Sequence, residues 1–251
     1  MTRVAVRVDG GRARLELIGG NLAPRLISAD DGGAKVALVA TSALLLGGDA
    51  VDLELRVGAG AWLEIVETAG TVAYDAEGEQ SRWNVRAVVE AGGLLLWHGE
   101  PLVISDGANT LRSSRYALGD EAVVCVRETV VLGRSGERGG ALRVQNQVAV
   151  GGTSVLAEDL DLSSCESREL PGILGRASVV DTVTLIGTVP PGFPPLFAGS
   201  LFRLGGGAGT IGRVLRTDLA GSPARAWWSS WSAAARDVHA ARRAVGISGR
   251  G

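Results

Sequence analysis

The feature that most restricts this chain is the stretch Leu46–Tyr74, where a faultless period-two alternation over Val51–Val57 is followed, after a turn, by a second over Ala61–Glu67. Val51, Leu53, Leu55 and Val57 fall in one phase; Asp52, Glu54 and Arg56 fall in the other. Side chains along a strand point to opposite faces in turn, so this pattern specifies a strand with one dry face. Gly47-Gly48-Asp49 opens the segment and Gly58-Ala59-Gly60 turns it. Ala61–Glu67 then alternates again, with Trp62 and Glu64 out of phase with Leu63 and Ile65. The reading places Asp52, Glu54, Glu64 and Glu67 in an acidic belt beside the dry face.

The same grammar recurs along the chain. Val4–Val8 and Ala13–Ile18 flank Asp9-Gly10-Gly11, a strong hairpin signal. Asn21–Ser28 reads as a loop around Pro24, and Lys35–Leu46 as a buried strand entering the Gly47-Gly48-Asp49 turn. Trp83–Val89, Leu94–Trp97, Thr110–Ala117, Ala122–Leu132, Leu142–Val150, Ser154–Leu162 and Val179–Val189 read as further strands. Strand, glycine or acidic turn, strand recurs around Gly10, Gly60, Gly92 and Gly119, at spacings too irregular for a fixed-period array. The expected fold is therefore mainly β: stacked short strands in a β-helix-like or layered arrangement. One or two helices complete it, the last at about 223–245. Ser222 suits an N-cap and Pro223 the first helical position. Trp227, Trp231, Ala234, Val238, Ala241 and Val245 form an apolar stripe, and Gly246 is the expected stop. Pro190–Pro195 reads as a stiff extended connector. Of Trp227, Trp228 and Trp231, at least one is expected to anchor an interface.

Composition narrows the function. With 251 residues, 46% of them hydrophobic and 21% charged, the chain can bury a substantial core, and it is read as one domain over 1–251. A formal net charge of −2 does not attract nucleic acid. No apolar run approaches a membrane span, and Cys125 and Cys165 do not make a disulfide framework. The expectation is a soluble, cytoplasmic protein. There is no G-x-x-x-x-G-K-[ST] and no G-x-S-x-G. Gly207–Gly212 matches G-x-G-x-x-G, but no acidic residue follows about 20 positions on, so a glycine-rich turn is the better reading. Cys125 alternates within an apolar strand and reads as a buried thiol. His239 is expected to face water. The plentiful carboxylates leave open a carbohydrate-active enzyme with paired Asp or Glu.

Four segments in order carry a family resemblance. Gly47-Gly48-Asp49, a strand, Gly58-Ala59-Gly60-Ala61, a strand and Thr68–Tyr74 form the first. Gly92–Pro101 with its Trp97, the Gly107-Ala108 step, and Leu132-Gly133-Arg134-Ser135-Gly136-Glu137 complete the set. Over about Lys35–Glu137 the chain resembles the urease accessory protein D family, also called H. The resemblance implies a non-enzymatic maturation factor with a stacked-strand fold. Such a factor binds apo-urease and a helical accessory protein that recruits a nickel-carrying GTPase, and internal polar channels pass the metal. No tightly bound cofactor is expected, only transient nickel. The candidate metal ligands nearest the signature are Asp49, Glu64, Glu67, His98 and Glu100. Imidazole beside carboxylate suits nickel, yet these residues form no tight cluster in sequence. Binding in the micromolar range, about −8 kcal/mol or weaker, is therefore expected.

Overall fold

A computed structural model describes residues 1–190 and 200–248; the expected Pro190–Pro195 connector lies, beyond Pro190, outside them. The chain opens with a hairpin, β1 (Thr2–Asp9) and β2 (Arg12–Ile18), closed by Gly10 and Gly11 at φ 58° and 76°. Positive φ at both central residues is what a two-residue turn matching the strand twist demands, and glycine supplies it. A second hairpin follows, β3 (Leu22–Ala29) with β4 (Gly33–Ala40). The sequence reading treated Asn21–Ser28 as a loop because of Pro24. The segment is an edge strand bonded only to β4, where a residue without an N–H is tolerated. Past Ala40 the expected strand gives way to a loop, although Leu44 and Leu45 remain buried in it.

From there the chain coils. β5 (Ala50–Val57) passes to β6 (Trp62–Glu67) and the short β7 (Thr71–Ala73); β8 (Ser81–Val89) passes to β9 (Leu94–His98) and β10 (Leu102–Ile104); β11 (Asn109–Leu118) passes to β12 (Val123–Leu132). Each turn carries the chain from one sheet to the other. Like strands of successive coils therefore pair in parallel, β5 with β8, β8 with β11, β6 with β9 and β9 with β12. The turns stack as well: Gly60 N–H donates to Ala91 O at 3.0 Å and Gly92 N–H to Asp120 O at 2.8 Å. The third residue of each turn, Gly60, Gly92 and Glu121, has φ between 59° and 65°. The weak repeat around Gly60, Gly92 and Gly119 is thus the solenoid itself, whereas Gly10 belongs to a hairpin.

One more parallel strand, β13 (Ala141–Val150) beside β11, and then antiparallel strands finish the sheets. β13 and β14 (Thr153–Asp161) extend the first, giving the order β14-β13-β11-β8-β5-β1-β2. A short helix α1 (Cys165–Arg168) leads to β15 (Val179–Ile186), β16 (Ser200–Arg203) and β17 (Gly209–Arg216), which extend the second sheet beyond β12. Gly209 and Gly212 lie in β17, so Gly207–Gly212 is a hairpin and not a phosphate loop. Helix α2 (Pro223–Ser248) packs on the outside of the second sheet and runs through Gly246. The molecule is a three-layer stack. One core lies between the sheets, with Leu53, Leu55, Trp83, Leu95 and Ile104; another lies between the second sheet and α2, with Leu94, Cys125, Leu185, Trp231 and Ala235.

The helix stripe is displaced from the one expected. Trp231, Ala235 and His239 are buried, while Ala241 is exposed. His239 does not face water: it is 5% exposed and its Nδ1 lies 3.0 Å from Gly92 O. Trp227 and Trp228 pack against the helix-side core, and Trp227 stacks on Trp231 with ring centroids 6.1 Å apart. Cys125 is fully buried, which pushes its thiol pKa up.

Candidate functional site

The alternation that builds the coils also decides where charge is admitted to the interior. In β11, Thr110, Arg112, Ser114 and Tyr116 share the inward phase; in β12, Val124, Val126 and Glu128 do. Arg112 and Glu128 therefore meet between the sheets. Arg112 Nε and Nη2 donate to Glu128 Oε1 at 3.1 and 2.7 Å, with side chains only 7% and 15% exposed. The Arg112 guanidinium also lies 5.7 Å from the Trp83 ring centroid, the geometry of a cation–π contact. Burial opposes the charge on Arg112, but Glu128 and Glu67 outweigh it and raise its pKa.

Glu67 joins from β6. Its Oε1 accepts from Trp97 Nε1 and its Oε2 from Glu100 N–H, both at 3.0 Å. Burial dominates here and pushes its pKa up to about 7, against the pull of Arg112 and these two donors. Further along the same interlayer, Arg213 of β17 reaches Glu158 of β14 at 2.5 and 2.9 Å, and Asn146 Nδ2 donates to Glu158 at 3.1 Å. A cavity of about 30 Å³ lies between the pairs, lined by Arg112, Glu128, Asn146, Glu158, Thr182 and Arg213 among apolar side chains; a second, of about 20 Å³, adjoins it. Each has room for a water or two. The buried Asn146 Oδ1 faces this space without a protein hydrogen bond among the described residues. Together these groups form a polar seam through an otherwise apolar interior.

The opposite face of the second sheet holds a different network. Arg127 Nε and Nη2 donate to the two carboxylate oxygens of Asp181, at 3.0 and 2.9 Å. Thr129 Oγ1 and Ser222 Oγ donate to the same carboxylate at 3.0 and 2.5 Å. Asp181 is fully buried, which alone would raise its pKa, yet these donors hold it below the usual carboxylate range. His98 Nε2 lies 3.0 Å from Arg127 Nη1, and the imidazole packs edge-on against Trp228 at 5.3 Å. Guanidinium has no lone pair to offer, so His98 Nε2 is the acceptor. Burial and Arg127 lower the His98 pKa accordingly.

The five candidate metal ligands do not converge. Asp49 closes its own turn, accepting from Leu46 N–H at 3.0 Å. Glu64 faces α2, paired with Lys35 at 3.0 Å and Arg236 at 2.8 Å. Glu67 points the other way, into the seam. His98 and Glu100 approach to 3.8 Å, with the Nε2 of His98 already committed to Arg127. Among the described residues no group of three or more His, Cys, Asp or Glu is placed to hold a metal ion. The acidic belt is likewise divided: Asp52 and Glu54 lie on the outer face of the first sheet, Glu64 and Glu67 on opposite faces of the second. No shared cleft pairs them as a glycosidase would require. Arg112, Glu158, Asp181 and Arg213 were missed in the sequence. Glu128 was within reach, because it shares the phase of Val124 and Val126.

A family profile described as UreD urease accessory protein matches residues 2–243. The chain belongs to the UreD family. It is 43% identical over 220 residues to urease accessory protein UreD 1 of Streptomyces griseus subsp. griseus, covering 86% of this chain and 85% of that one. It is 37% identical over 198 residues to UreD 1 of Saccharopolyspora erythraea, covering 76% and 78%. UreD of Rhodopseudomonas palustris CGA009 is 30% identical over 191 residues, covering 74% and 67%. UreD membership assigns the chain a role in urease maturation, as an accessory protein alongside urease and other accessory proteins. Among the described residues no helix is long and apolar enough to cross a membrane.

Proposed function

We propose that the chain is a scaffold that binds apo-urease together with a helical accessory protein and a nickel-carrying GTPase of the same pathway, so that nickel reaches the urease active site. The observation that carries the nickel part of this reading is the seam. A β-solenoid gains nothing in stability from buried ion pairs that well-packed apolar side chains would not supply, since desolvation offsets their attraction. Glu67, Glu128 and Glu158 offer hard oxygen donors; Glu128 and Glu158 are held by Arg112 and Arg213, and Glu67 by Trp97 Nε1 and Glu100 N–H. Of the five candidate ligands only Glu67 carries over into this proposal; Asp49, Glu64, His98 and Glu100 do not line the cavities of the seam. Nickel is here a passing cargo, and the absence of a converged ligand set fits an ion that must be released.

The test is deletion of the gene in its host, with urease activity and nickel per active site both measured and a plasmid copy restoring them. Loss of both, with apo-urease still folded, is expected. Full activity at normal nickel content would remove the proposal.

A further inference from the structure

The outer face of the first sheet carries arginines without an acidic partner; Arg115 Nε donates to the neutral Gln147 Oε1 at 3.2 Å. In the β1–β2 hairpin Arg7 and Arg14 stand directly opposite one another, and in the parallel ladder Arg86 of β8 is in register with Arg115 of β11. Like charges in facing positions destabilise a sheet; Arg86 has Glu54 in register on its other side, whereas Arg7 and Arg14 at the sheet edge have no such neighbour in their pair. All four side chains are exposed, and among the described residues no carboxylate lies within ion-pair distance of any of them. Four acids on this face are already engaged. Glu54 accepts from Arg3 and Arg56, Glu16 from Arg3, Asp52 from Asn84 and Asp159 from Arg143. Arg7, Arg14 and Arg56 also line an open groove of about 400 Å³, together with Glu16 and Glu90, whose carboxylates already accept from Arg3 and from Ala59 N–H.

We propose that this face is a docking surface for a protein partner whose contacting surface is rich in Asp and Glu. The arginines extend over five adjacent strands, β11 to β2, about 19 Å at the usual strand spacing. That breadth exceeds one small anion and matches a macromolecular contact. A protein fits better than nucleic acid, because Glu54, Asp52, Glu16 and Asp159 are interleaved with the arginines and would repel a continuous phosphate backbone. Discrete guanidinium forks separated by acids instead suit discrete carboxylates, which arginine binds in bidentate fashion. Arginine is also enriched at protein interfaces, where lysine is depleted. The whole chain bears a net charge of −2, so the concentration of unpaired cations here is local. This inference rests on the exposed arginines and not on nickel delivery, so either can fail alone.

The test uses the full chain and a fluorescent ten-residue oligoglutamate peptide, followed by polarisation. Wild type is expected to bind, and to weaken at least tenfold as salt rises from low to several hundred millimolar. Arg86→Glu/Arg115→Glu and Arg7→Glu/Arg14→Glu should each weaken binding at least tenfold. Should a charge reversal lower the melting temperature, the Arg→Gln pairs decide, with an expected severalfold loss. Wild type failing to bind, equal binding by the variants, or equally tight binding of a 20-base-pair DNA duplex would each overturn the proposal.

Discussion

Glu67 sits on a strand whose phase turns it into the interlayer, where Arg112 is already taken by Glu128. Burial is the larger influence and lifts its pKa to about 7. A carboxyl with a folded pKa above its unfolded value binds its proton more tightly in the native state. Its contribution to stability is therefore fully present at acid pH and is lost as pH rises from about 4.5 to 7. Glu67→Gln should remove that slope and leave the variant more stable than wild type above pH 7 by about 1–3 kcal/mol. Urea unfolding at several pH values measures it; a wild-type curve flat between pH 5 and 7 would refute the assignment. In the sequence Glu67 looked like one of several surface acids. Period two alone puts it in phase with Leu63 and Ile65, but that placement needs the strand to stay regular to its last residue. Asp181 gave less warning still. Its strand is buried on both faces, so no alternation marks it, and its partners come from β12 and from the cap of α2.

Helix α2 was legible in outline because capping chemistry is local. Ser222 Oγ accepts from Ala224 N–H at 3.3 Å, as the Ser-Pro start implied. What could not be read was that the same hydroxyl donates to Asp181, 41 positions away. The stripe was misplaced for a related reason. Gly212 leaves room for Trp227, whose ring would lie 2.7 Å from a Cβ there, and this contact with β17 helps set how the helix rolls. Ser222→Ala removes a cap and leaves a buried carboxylate short of a donor. The expected cost is about 2–4 kcal/mol, with Ser222→Thr recovering most of it. The pH signature is separate. Asp181 has a depressed folded pKa, so its stabilisation is present above the unfolded value and is lost as pH falls through the folded one. Losing the Ser222 donor raises that folded pKa, so acid unfolding should begin at higher pH in Ser222→Ala. An unchanged acid midpoint would show that the hydroxyl is a cap alone.

Across the whole molecule, the coil path was readable from alternation punctuated by turns, whereas the sheet to which each strand belongs was not. Leu55 and Leu63 are both simply inward-facing in the sequence; the turn at Gly58-Ala59-Gly60 is what sends them to different sheets across one core. The seam depends on that assignment, since Arg112, Glu158 and Arg213 meet only when both sheets are in place. Its dimensions constrain how it can carry a cargo. A cavity of about 30 Å³ has room for a water or two and not for a shell of six. A fully hydrated divalent ion does not fit, so passage requires that water be exchanged for carboxylate and amide oxygens along the way. Val144 lines this cavity, is 8% exposed and takes no part in the ion pairs. Val144→Phe should fill the space at a cost of about 1–3 kcal/mol for overpacking, leaving the outer faces of both sheets as they are. The variant is then expected to copurify with apo-urease as wild type does, while nickel per urease active site falls severalfold. Val39→Phe, on an exposed position of β4, is the matched control and should load nickel normally. Normal loading by a folded Val144→Phe would exclude the seam as the route, while a loss of apo-urease binding by both variants would point to the surface contacts instead.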